Sequence, residues 1–279
     1  MENSIKGKPI SDFEFSIDRK HRLSILRPVF LLTFDFCLLT SSETPPVLDI
    51  LYNSSDIVAI NKPSGLLVHR TSLATDRVTC LQLLRAQLGY WVYPIHRLDR
   101  GTSGVLLFAL SAERARELSE LFRSREVTKR YLVIVRGYAP EEGDIDHAFS
   151  DPDDDLASIE ARTIFRRLAT VELPYPVGNY DTARYSLVLA EPLTGRTHQI
   201  RRHMKHISHQ VVGDTTYGDG RQNRLFRERF NIQRLLLHAR TLRLPHPDGG
   251  DTIRIDAPLP EDFQFLFRQF GWDINFFDF

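Results

Sequence analysis

The sequence predicts an α+β fold in which a mixed, mostly antiparallel sheet is flanked by helices. Three observations carry this. Residues 159–168 and 182–190 alternate polar and apolar side chains as half-buried antiparallel partners do, with Ala183, Tyr185, Leu187 and Leu189 on one face. Residues 105–110 and 131–136 are short apolar runs of the length of buried strands. Residues 78–88 and 112–125 repeat their apolar side chains at helical spacing instead.

Residues 1–46 carry no clear period, and Pro45-Pro46 marks a boundary after them. They read as a flexible N-terminal extension or as excess from an upstream start. Residues 47–279 read as the folded domain. Within the extension, residues 28–40 are apolar but too short for a membrane span and are broken by Asp35. Short strands at 49–52 and 57–60 flank the turn Asn53–Asp56. Asn61-Lys62-Pro63-Ser64-Gly65 makes a second turn, with residues 66–69 extended after it. Val78, Leu81, Leu84 and Leu88 share one face of the first helix, which Gly89 stops. Ser111 caps the second helix, whose Ala115, Leu118, Leu121 and Phe122 point inward. Gly137 closes the strand at 131–136. Residues 141–155 hold eight acids and no Lys or Arg, and read as a loop that would repel a polyanion. Residues 173–179 form another loop. Thr197 is a plausible cap for a helix presenting Ile200, Met204 and Ile207. Residues 211–220 are a glycine-rich turn without phosphate-loop spacing, so no nucleotide cofactor is implied. Residues 237–239 and 252–256 add strands. Residues 263–272 make a short amphipathic element, with Trp272, Phe276 and Phe277 docking.

Composition is that of a soluble globular protein: 42% hydrophobic, 26% charged, and a formal net charge of zero. The balance is uneven along the chain. Residues 97–136 hold nine Arg or Lys against five acids, and residues 194–210 hold Arg196, Arg201, Arg202 and Lys205 with no acid. Such patches suit a polyanionic partner even at zero net charge. Cys37 and Cys80 make neither a metal-spaced pair nor a disulfide framework, which fits a reducing cytoplasm.

Two stretches carry chemistry. In His96-Arg97-Leu98-Asp99-Arg100-Gly101-Thr102-Ser103-Gly104 a carboxylate sits between two arginines, ahead of glycines and hydroxyls that permit a tight turn. Arg97 and Arg100 favour the ionised form of Asp99 and are able to hold phosphates. By spacing alone, a polar turn before a core strand fits equally. In residues 191–209, Arg201 falls at the buried edge of the helix, while Arg202 and Lys205 suit solvent or phosphate. The four histidines 198, 203, 206 and 209 have no Cys or paired carboxylate to complete a metal set, and read better as a backbone-binding face.

The first stretch, Lys129-Arg130-Tyr131, and Gly195-Arg196-Thr197-His198-Gln199-Ile200-Arg201 together resemble the three motifs of the RluA-type pseudouridine synthases. They occur in the family's order, and the resemblance spans about residues 47–272. It implies the pseudouridine synthase catalytic fold with a central active-site cleft, and isomerisation of uridine to pseudouridine. Asp99 would then be the essential catalytic aspartate, flanked by His96 and Arg97, with Arg97 filling the space of a flipped-out uridine or supporting its neighbours. Tyr131 would stack on the target base and stand ready to deprotonate the rearranged product. One arginine of the third motif would pair with Asp99. Arg201 is the first choice, from its place on the helix, and Arg196 the second. Arg100, Arg196 and His198 would contact substrate, and Leu237-His238-Ala239 would line the uracil pocket. The reaction needs no metal or other cofactor. The branch most resembled acts on tRNA, at uridine 65 of the T-stem, which makes tRNA the expected partner of a cytoplasmic monomer without membrane attachment. Ribosomal RNA is the alternative target, and a non-catalytic RNA-binding protein the alternative of another class. A glycosidase- or nuclease-like hydrolase would need a second carboxylate or a metal cluster near Asp99, and no local candidate stands out.

Overall fold

The computed structural model describes residues 46–70, 78–150 and 158–273. The expected N-terminal extension, its apolar patch, and Phe276 and Phe277 lie outside the described residues. In chain order the elements are β1 (Asp49–Asn53), β2 (Ile57–Lys62), α1 (Cys80–Leu88), β3 (Tyr93–Pro94), β4 (Ser103–Ala109), α2 (Ala112–Arg123), β5 (Thr128–Arg136), β6 (Glu142–Asp146), β7 (Phe149–Ser150), β8 (Ser158–Ile159), β9 (Arg162–Leu173), β10 (Ala183–Pro192), α3 (Gln199–His206), α4 (Gly220–Phe230), β11 (Leu237–Leu244), β12 (Ile253–Asp256) and α5 (Glu261–Phe270). Among the described residues, ten strands form one sheet along the path β1-β2-β4-β11-β5-β10-β9-β6, with β3 on β4 and β12 on β11.

All these pairings are antiparallel except one. β4 and β11 run parallel over the short register Ser103↔His238 and Gly104↔Ala239. Beyond it, β4 pairs with β3 and β11 with β12. The sheet thus has two halves meeting at a narrow seam. Helices cover both faces of the sheet. Leu106 and Phe108 pack with Leu84 of α1, while Val105 and Leu107 pack with Leu118 of α2. In the other half, Leu132 and Ile134 pack under α4 and α5, while Val133 and Val135 pack under Ile200 and Met204 of α3. The strictly alternating sides explain why both runs are apolar throughout: each strand is buried on two faces.

Several local expectations change. α1 begins at Cys80, capped by the Thr79 hydroxyl, and Val78 is exposed outside it. Residues 66–69 form only a single bridge, Leu67 to Thr79. The acidic run is not all loop: β6 is an edge strand on β9, where the Arg162 guanidinium grips Asp144 and Arg167 meets Glu141. Neighbouring arginines offset the charge that disfavours a strand there. Residues 220–230, which pattern did not single out as helical, form α4 with Asp219 as its N-cap. Trp272 does dock, its indole N–H donating to the Thr170 carbonyl at 3.0 Å.

Candidate active site

The seam between the halves opens into a cleft of about 430 Å³. Asp99, on the loop before β4, faces it together with Tyr131 of β5, Leu237 of β11 and Arg201 of α3. Arg97, Arg123, Arg125, Lys129 and Arg196 also line it, and Asp99 is its one carboxylate among the described residues. Such a basic wall around a single carboxylate attracts phosphates while keeping one anionic group at the centre.

The Asp99 loop is fastened through its main chain. Lys62, at the end of β2, is fully buried, and its ammonium donates to the carbonyls of Pro63 (2.8 Å), Arg100 (3.0 Å) and Thr102 (2.8 Å). Burial pushes its pKa down to about 8. The Ser64 hydroxyl donates to the Gly101 carbonyl at 2.7 Å, and the Gly65 N–H to the Arg100 carbonyl at 2.8 Å. The Asn61–Gly65 turn is therefore the cradle of the Asp99 loop. Gly104 then enters β4 at φ +111°, where an added Cβ would stand 2.1 Å from the Ala239 carbonyl oxygen. Only glycine allows that approach across the parallel register.

Arg201 is fastened through side chains. Its Nε and Nη2 donate to the two oxygens of Asp214, at 2.7 and 2.8 Å, and its Nη1 donates to Asp99 Oδ2 at 3.1 Å. Asp214 is fully buried and also accepts the N–H groups of Thr216 and Tyr217. These bonds hold its pKa below the usual carboxylate value although burial opposes them. With two of its three nitrogens committed to Asp214, the guanidinium can aim only one at Asp99. The turn before α3 is set by Gln199, whose carbonyl oxygen accepts from the Thr194 hydroxyl and the Arg196 N–H.

The arrangement sorts the residues that sequence singled out. Asp99, Tyr131, Arg201, His96, Arg97, Arg196, His198 and Leu237 all line the cleft. Arg201, not Arg196, meets Asp99; Arg196 Nε donates to the Glu160 carbonyl at 2.9 Å. Arg100 is not among the residues lining the cleft, and its Nε donates to the Gly65 carbonyl at 2.9 Å. His96 accepts the Leu107 N–H at 3.1 Å and stacks on Phe122, and burial pushes its pKa down to about 3. It therefore shapes the wall as a neutral ring. Burial, with help from Asp99, holds the Tyr131 phenol well above its ordinary value. Thr197 does not cap α3; His198 occupies the N-cap position in a left-handed conformation. Nor do the four histidines form one face. His203 is buried against Thr163, His206 stacks on His147, and His209 bonds the Arg136 carbonyl, which leaves His198 at the cleft. Asp214 and Tyr217 were missed inside a glycine-rich turn. The local signal was an Asp followed by residues free to donate N–H groups back to it. Lys129, two residues before Tyr131, donates its ammonium to the Thr194 carbonyl at 3.1 Å, and burial pushes its pKa down to about 8.

A carboxylate aimed by an arginine into a basic cleft, beside a half-buried tyrosine, suits an enzyme that acts on a nucleic acid. The family model described as RNA pseudouridylate synthase matches residues 56–206, which include Asp99, Tyr131 and Arg201. The chain belongs to this family and, within it, to the RluA type. Among curated relatives, a protein named tRNA pseudouridine synthase C from Haemophilus ducreyi is 50% identical over 244 residues, covering 83% of this chain and 98% of that one. Its namesake from Pasteurella multocida is 48% identical, covering 82% of this chain and 98% of that one. Among solved structures, human RNA pseudouridylate synthase domain containing 1 superposes with a TM-score of 0.61 at 30% identity, covering 78% of this chain and 87% of that one.

Proposed function

We propose that this chain isomerises uridine to pseudouridine in tRNA, at uridine 65 of the T-stem, with residues 47–279 as the catalytic domain of a cytoplasmic monomer. The observation that carries the reaction is the Asp99–Arg201–Asp214 chain at the floor of a basic cleft. The tRNA target rests on the name shared by the relatives that match most of this chain. A uridine stacked in a stem keeps its glycosidic bond out of reach, so the nucleotide leaves the helix and enters the cleft. Asp99 then acts at the ribose, by attack on C1′ or by removal of the C2′ proton. Arg201 stays paired with the carboxylate and offsets its charge after RNA has displaced water. Leu237 and Tyr131 give the freed uracil an apolar floor on which to turn. Arg97, Arg123 and Arg196 suit the phosphates on either side.

The test is pseudouridine mapping of total tRNA from cells with and without the protein. Loss of the mark at uridine 65, restored by wild type and not by Asp99→Ala, is expected. An unchanged tRNA map overturns the tRNA assignment and moves the search to ribosomal RNA in the same strains. Turnover retained in Asp99→Ala overturns the role given to that carboxylate.

A further inference from the structure

The rim of the cleft holds an ion pair that the reaction above does not use. Arg125 follows α2 and lines the cleft. Glu160 lies between β8 and β9, where its carbonyl accepts Arg196 Nε at 2.9 Å. The Arg125 guanidinium takes both oxygens of the Glu160 carboxylate, Nη1 to Oε1 at 3.1 Å and Nη2 to Oε2 at 2.7 Å. The pair therefore ties the end of α2 to the Arg196 turn that enters α3, two elements that frame the cleft.

The chain places an arginine here against its own backbone preference. α2 stops at a left-handed residue, and the N–H of the next one, Glu126, donates to the Leu121 carbonyl at 3.0 Å. Such a stop ordinarily carries glycine. The residue is instead Arg125, at φ +64°, a strained conformation for an L side chain. Stopping the helix needs no guanidinium, so the guanidinium serves something else. Its present partner is loosely held: the two side chains are 50% and 56% exposed, and exposed ion pairs contribute little and exchange readily. The Arg125 bonds, with the charges of Arg196 and Arg162, hold the Glu160 carboxyl below the usual carboxylate range. One anion among three arginines is the setting of a phosphate, and the fork that Arg125 presents fits either group.

We propose that Arg125 is a phosphate-binding residue at the rim of the cleft, and that the Glu160 carboxylate fills its place until an RNA phosphate displaces it. This rests on the pseudouridine synthase reading above, which brings an RNA backbone across the rim as a nucleotide enters the cleft. The exchange replaces two N–H···O bonds by two of the same kind, and the released carboxylate turns to water. Glu160 thereby raises the threshold for binding. A phosphate that meets Arg125 alone gains little over the carboxylate, whereas a backbone that also meets Arg97, Arg123 and Arg196 opens the pair.

The experiment measures the Kd of an unmodified tRNA transcript over a range of salt concentrations. Glu160→Gln keeps the shape and removes the competing charge, so binding tightens about three- to tenfold at low salt. Arg125→Asn, a residue that tolerates the left-handed backbone, weakens binding and lowers the salt slope by about one. Glu141→Gln makes the same charge change at a pair with Arg167 that does not line the cleft, and gives a smaller gain. In the double variant of Arg125 and Glu160 the gain from Glu160→Gln falls to that of the Glu141 control, because no guanidinium is left to release. The proposal is overturned if Glu160→Gln binds no tighter than wild type, as a permanent strut requires. It is equally overturned if the full gain persists in Arg125→Asn or is matched by Glu141→Gln, or if Arg125→Asn leaves the salt slope unchanged. Failure of the underlying reading looks different: the wild type then forms no pseudouridine in the same transcript, while the order of these affinities still reports the exchange.

Discussion

The two partners of the central ion pair are held in opposite ways. Asp99 rides on a loop whose carbonyls converge on one buried ammonium, and which enters its strand through a glycine pressed against the neighbouring main chain. Arg201 sits on a helix and is aimed by a carboxylate fork from a separate loop. One half of the pair is positioned by backbone and the other by side chains. Backbone positioning is unforgiving, since it depends on a space no other residue fits and on carbonyls gathered by one ammonium. Side-chain positioning tolerates more, because a neighbour that keeps its shape keeps most of the aim.

The sharpest way to break this comparison is at Gly104. Gly104→Ala should cost more than about 4 kcal/mol, enough to abolish soluble folded protein, because its Cβ would overlap the Ala239 carbonyl at a φ that L residues rarely adopt. Gly101→Ala, whose Cβ would meet only the Leu235 side chain at 3.1 Å, is the control and should fold. Denaturant unfolding of the pair tests this. If Gly104→Ala is as stable as Gly101→Ala, the seam is not held by main-chain approach. Next in size is Lys62→Met, which leaves three inward carbonyls without their shared donor. A loss of about 3 kcal/mol in stability, with a loosened Asp99 loop and slower turnover, is expected. Unchanged stability and kcat would show that the ammonium is not the clamp.

The same contrast explains what was legible in the sequence. The strands around 105–110 and 131–136, the α2 face and its Ser111 cap are local patterns, and the structure has all of them. The motif residues around Asp99 carry their identity in a contiguous string. The pairing of β4 with β11 joins residues more than 130 positions apart, and no local period encodes it. Lys62 reads as a turn lysine, since its burial depends on carbonyls that arrive about 40 residues later. Asp214 lies 13 residues beyond Arg201, and the fork between them exists only once α3 and the next loop fold back on each other. The edge strand β6 was hidden by its acids, whose arginine partners sit on β9.

A milder change falls on the side-chain half. Asp214→Asn keeps the shape and the acceptor for at least one guanidinium nitrogen but removes the charge that holds Arg201. The fold should survive while kcat drops about 10- to 100-fold, with RNA affinity little changed, because the aim at Asp99 slackens. A loss as large as that of Asp99→Ala would place Asp214 on the same footing as Asp99. No change would show that α3 alone orients the arginine.

An effect of a different kind is set by pH at the seam itself. His238 is fully buried beside the β4–β11 register, its Nδ1 bonded to the Ser103 hydroxyl at 2.9 Å, and burial together with Arg234 pushes its pKa down to about 3. The unfolded chain takes up a proton there near pH 6.5, while the folded chain resists until about pH 3. The stability this neutral ring allows is therefore complete above pH 6.5 and is lost as pH falls toward 3, at about 1.4 kcal/mol per pH unit. His96 behaves in the same direction for the same reason. Unfolding free energies measured between pH 6.5 and 4.5 should fall more steeply for wild type than for His238→Gln, by about that slope. Equal slopes would show that the seam takes up the proton without opening, and that main-chain pairing alone closes it.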